Sequence, residues 1–145
     1  MRQSIINALR TDFATITVAN NYNNDIKEVF KQLKEFGDIN DANSPSIYFQ
    51  LMPSKARRNE NFYEWTQPVF VLIYFTVKHD ISKEGLYEAQ AETLIDDVLA
   101  LFDTYTTTHA IDGVEAISID EIDTYIDTDN TKGLITMTLI IEHTQ

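Results

Sequence analysis

The run Val69 to Val77, VFVLIYFTV, is apolar at odd and even positions alike. A strand with one wet face alternates apolar and polar residues. A strand that is apolar throughout belongs in the middle of a sheet covered on both sides. Part of that cover could come from another subunit. The run is far short of the ~20 apolar residues a helix needs to cross a bilayer. It sits in a chain of 145 residues, the size of one domain, long enough to bury roughly 68–70% of its unfolded surface. The opening MRQSIINALR interrupts its apolar residues with Asn7 and Arg10, so it does not read as a signal peptide.

Other segments supply the layers around that strand. Ile6, Leu9, Phe13 and Ile16 are spaced as one face of an amphipathic helix over about residues 2–14. ANNYNND, Ala19 to Asp25, is turn chemistry, rich in side chains that bond to nearby backbone. Ile26, Val29, Phe30, Leu33 and Phe36 fit a helix by spacing, but the segment is short enough for a strand. Gly37 to Ser44 is a second turn-rich loop before Pro45. SIYFQLM, Ser46 to Met52, reads as a strand, and Pro53 to Gln67 reads as a polar loop.

Residues 86–105 carry the clearest helix. Tyr87, Ala91, Leu94, Val98, Leu101 and Tyr105 repeat at alternating spacings of four and three. Glu88, Glu92, Asp96 and Asp103 take the outer face. The stripe is too short for a coiled coil and reads as core against a sheet. Val114 to Ile119 and Leu134 to Ile141 read as the last strands, joined through a hairpin near Asp127, Asp129, Asn130 and Gly133. In the final strand Ile135, Met137, Leu139 and Ile141 share one face. Strands in pairs around helices predict a single α+β domain over residues 1–145. Its sheet is mostly antiparallel or mixed, of four to five strands, packed by two helices.

Charge is unevenly spread. Residues 1–84 hold 10 acids and 10 bases; residues 85–145 hold 13 acids and one base, Lys132, so the net −12 falls in the second part. Such a surface is poorly suited to bind nucleic acid, which is held mainly by Lys and Arg. It reads as a solvated acidic face or as a surface that must not grip DNA.

No motif for catalysis appears. With no cysteine, disulfides, thiolate zinc sites and a cysteine nucleophile are excluded. Four glycines leave little for a phosphate-cradling loop, and neither GxSxG nor a Walker loop occurs. An EF-hand starting at Asp127 fails, because Lys132 stands where Gly is needed and Thr138 where the bidentate Glu is needed. His79, His109 and His143 are scattered. No catalytic residue, metal ligand or cofactor is therefore expected.

The loop PSKARRNENFYEWTQ sets Lys55, Arg57 and Arg58 beside Phe62, Tyr63 and Trp65. These residue types dominate protein–protein hot spots. The competing reading is that Phe62 and Trp65 begin the next strand and pack inward while the bases stay solvated. Binding of single-stranded nucleic acid is a poor third, given Glu60, Glu64 and the overall charge.

The whole layout resembles the tail-terminator, or tail-completion, proteins of long-tailed bacteriophages. The likeness runs through QSIINALRTDF, YNNDIKEVF, PSIYFQLMP, RRNENFYEW, PVFVLIYFTV, EAQAETLIDDVLALF, GVEAISIDEIDTYID and GLITMTLIIEHT, nearly all of residues 2–143. It implies that DIKEVF is extended. It implies a small subunit of a hexameric ring that caps the tail tube, stops its growth and meets a neck protein of the head. DNA would pass through the lumen without specific binding, and no membrane is involved. The protein would belong to the virion and assemble in the host cytoplasm, with no active site. Lys55, Arg57, Arg58, Phe62, Tyr63 and Trp65 would be interface residues, and the acidic second half would line or flank the lumen. The rivals are another neck component, such as a head–tail stopper, and a stand-alone ligand-binding domain or enzyme.

Overall fold

The computed structural model describes residues 2–76, 86–107, 111, 113–127 and 131–144. Val77, His79, His109, Asp129 and Asn130, which entered the sequence reading, lie outside the described residues.

Two helices pack on one face of a six-stranded mixed sheet. Helix α1 is Arg2–Phe13 and α2 is Leu86–Thr107. The strands are β1 (Glu28–Phe30), β2 (Ser46–Leu51), β3 (Lys55–Asn59), β4 (Phe62–Thr76), β5 (Val114–Asp127) and β6 (Lys132–Thr144). Their order is β1-β2-β4-β6-β5, with β3 also pairing with β4. Only β1 and β2 are parallel.

The apolar run is the centre of this sheet, as its sequence predicts. Val69, Val71, Ile73 and Phe75 are fully buried on the helix side. There they meet Ile47 and Phe49 of β2, the Ile135–Met137–Leu139–Ile141 row of β6, and the apolar stripes of both helices. Each such side chain contributes about 1.5–3 kcal/mol by leaving water. The opposite face of β4 is covered too. Leu72 and Tyr74 join Phe30 and Ile39 in a second cluster, beside half-buried Phe70 and Leu134. The Tyr74 hydroxyl donates to the Lys34 carbonyl at 2.9 Å, tying the 31–45 segment to this face.

Two segments depart from the sequence reading, and one choice that it left open is decided. Residues 26–36 take the extended alternative, as the short strand β1, and Phe36 opens a 3-10 turn. The helical spacing there is not a buried stripe, since Leu33 is 61% exposed. Pro53 to Gln67 is not a loop but a β-hairpin: β3 pairs with the first residues of β4 through a two-residue turn at Glu60 and Asn61. The fifth strand runs to Asp127 rather than Ile119. Register shifts between Val114 and Ala116 and between Ile119 and Glu121 break its alternation.

Candidate functional site

β4 has 15 residues and a length of about 50 Å, more than its neighbours cover. β2 flanks Val69 to Tyr74, β3 flanks Phe62 to Thr66 on the same side, and β6 ends opposite Glu64. Among the described residues Phe62 and Tyr63 therefore pair with β3 alone, and the hairpin tip extends past the sheet as an arm. Gln67 closes the gap between β2 and β3. Its side chain is buried, and Nε2 donates to the carbonyls of Met52 at 2.6 Å and Pro68 at 2.7 Å.

The register divides the six predicted interface residues between the two faces of the arm. Arg58 is opposite Tyr63, and Trp65 opposite Ala56, on the helix side. Arg57 is opposite Glu64 and Lys55 opposite Thr66 on the other side, where Phe62 also lies. Lys55, Arg57 and Arg58 are exposed, as are Phe62 at 40% and Tyr63 at 47%. Trp65 is half-buried. Its ring lies parallel to that of buried His143, which faces it across β4 and β6. Thus Phe62 and Trp65 do begin a strand, but only Trp65 packs inward. The arm presents two aromatics and three cations without forming a single patch.

An open cleft of about 390 Å³ lies where the arm joins the sheet. Lys55, Arg57, Trp65, Glu115, Glu142 and His143 are among its lining. Lys55 and Arg57 stand there with Glu64, Glu115 and Glu142, so the lining carries both signs of charge. Among the described residues no three His, Asp or Glu side chains converge as metal ligands would.

Among the described residues, most acids of the second half fall in two exposed sets. Glu88, Glu92, Asp96 and Asp103 cover the outer face of α2. Glu115, Asp120, Glu121 and Asp123 line β5, an edge strand. Asp97, by contrast, is buried. Its carboxylate accepts the backbone N–H of Asn23 at 2.8 Å, that of Asn24 at 2.9 Å and the Asn24 side-chain amide at 2.9 Å. It thereby fixes the ANNYNND loop on α2. Sequence reasoning missed this anchor, although Gln90, Thr93 and Asp97 make a polar stripe beside the apolar one; Gln90 Nε2 donates to Asn24 Oδ1, and Asn24 Nδ2 to Thr93 Oγ1.

No family model matches the chain, and no curated protein matches it. No helix among the described residues is long and apolar enough to cross a membrane.

Proposed function

We propose that this protein is a structural subunit of a bacteriophage virion. It forms a ring, of about six subunits by its likeness to tail terminators, that caps the tail tube, ends tube growth and joins the tail to the neck. DNA passes through the lumen and is not gripped. The observation that carries this reading is the segregation of exposed charge. The arm offers Lys55, Arg57, Arg58, Phe62 and Tyr63, while β5 and the outer face of α2 are acidic. Opposed surfaces on one molecule favour head-to-tail contacts, which close into rings when the rotation allows. The element order gives further support. It runs through a first helix, a short extended segment, a strand, a charged segment, a long apolar strand, a second helix and on to a final strand, the order the resemblance implies, with a hairpin arm where the resemblance has a charged loop.

The test is tube growth. Adding the protein to polymerising tail-tube subunits should halt elongation and leave a capped end visible by negative stain. Unchanged tube lengths with bare ends would refute the capping role. Replacement of Arg57 and Arg58 by Glu should abolish capping; intact capping would remove the arm from the mechanism.

A further inference from the structure

Among the described residues, β3 pairs only with β4 and β5 only with β6, so the sheet has an open edge at each of these strands. β5 is 14 residues long, and an open edge of that length is a template for another chain. Its exposed Glu115, Asp120, Glu121 and Asp123 are accompanied by no base in the strand. β3, KARRN, has three exposed cations and no acid. Two β5 edges would repel one another, because like charges opposed across strands are unfavourable. The basic edge is the complement.

The side-chain rows also match. Lys55 and Arg57 lie on the face away from the helices, opposite Thr66 and Glu64. Glu121 and Asp123 lie on that same face, opposite Thr138 and Thr136. Both pairs are two residues apart, so they can oppose one another one for one.

We infer that the open edge of β5 in one copy takes the open edge of β3 from the next copy, with Lys55 facing Asp123 and Arg57 facing Glu121 across the subunit boundary. The inference rests on the ring reading and names the contact that closes the ring. Strand direction favours it. β3 and β6 both run antiparallel to β4, and β5 runs antiparallel to β6. β3 and β5 therefore point opposite ways in every copy. Copies related by rotation about an axis along the strands meet antiparallel, and all helices stay on one side of a continuous sheet.

The offset is consistent as well. Within one copy Lys55 is level with Ala116, through Thr66 and Glu142. Strands in closed sheets tilt by ~35–45°, which staggers neighbours by about 1–1.5 residues per strand. Across β3, β4, β6 and β5 that stagger moves Lys55 from the level of Ala116 past Glu121 toward Asp123, its partner when Arg57 faces Glu121. The direction holds when the helices face outward and the β4–α2–β5 crossover has its usual right hand.

A charge swap tests this contact. Sedimentation velocity compares the wild type, Lys55→Glu with Arg57→Glu, Glu121→Lys with Asp123→Lys, and the chain carrying all four changes. Circular dichroism checks that each is folded. The wild type should run as a ring, alone or on added tail tubes. Each reversed pair should weaken association about tenfold or more, and the fourfold variant should regain it. Rings that persist in either reversed pair, or no recovery in the fourfold variant, would overturn the edge pairing and leave the ring reading standing. A wild type that stays monomeric with and without tubes would overturn both.

Discussion

The rings of Trp65 and His143 lie 7° from parallel with centroids 6.3 Å apart, at the root of the arm. Trp65 is the chain's one tryptophan, so its fluorescence reports on this contact alone. Trp65→Ala should destabilise the fold by about 2 kcal/mol, below the 3–5 kcal/mol of a fully buried site because the ring is half-exposed. Trp65→Phe should retain most of the stability. Urea unfolding followed by circular dichroism measures both. In the wild type, fluorescence and circular dichroism should give one midpoint; an earlier fluorescence transition would show the arm melting separately.

Asp97 is held by three donors from the Asn-rich loop. Asp97→Ala strands two backbone N–H groups and should cost about 2–4 kcal/mol. Asp103→Ala, on the exposed face of α2, should change stability by no more than about 0.5 kcal/mol. Equal losses at the two sites would contradict the assignment of Asp97 as the anchor.

Tyr105 gives the fold an alkaline limit. Its hydroxyl donates to Asp12 Oδ2 at 2.9 Å. Burial, then that hydrogen bond, then the Asp12 charge hold the phenol protonated well above its ordinary value of 10.0. Because the folded value is the higher one, this stabilisation is complete below about pH 10 and is lost as pH rises beyond it. The loss is up to about 1.4 kcal/mol per pH unit for each such group. Burial also raises Tyr22 and Tyr74, so Tyr105→Phe should reduce the alkaline slope without abolishing it. It should also cost about 1 kcal/mol at neutral pH. Denaturant midpoints across that range measure both effects.

Gly133 lies under the Phe75 ring. A Cβ there would stand 2.1 Å from Phe75 Cζ. Phe75 is fully buried in the core, so the ring cannot simply swing into solvent. Gly133→Ala should destabilise by about 1–3 kcal/mol through overpacking, read as a lower urea midpoint. An unchanged midpoint would mean that the ring has room to shift.

Much of the fold is legible wherever one period holds without interruption. The stripe from Ala91 to Tyr105 and the odd-numbered row of β6 each meet the core as their spacing predicts. β3 is hidden because Lys55, Arg57 and Arg58 offer no buried face, only backbone pairing with β4. The second half of β5 is hidden by its register shift at Asp120, which breaks the alternation between Ile119 and Ile122. The six interface candidates are legible as residue types, but not their division between two faces, which depends on a hairpin register. Asp97 escaped because its partners lie more than seventy positions away.

The proposed ring requires self-assembly around a central hole. Light scattering with negative-stain imaging, on the protein alone and mixed with tail tubes, measures this directly. The predicted result is a ring of about six subunits with a central channel, free or seated on tube ends. A monomer under both conditions would contradict it.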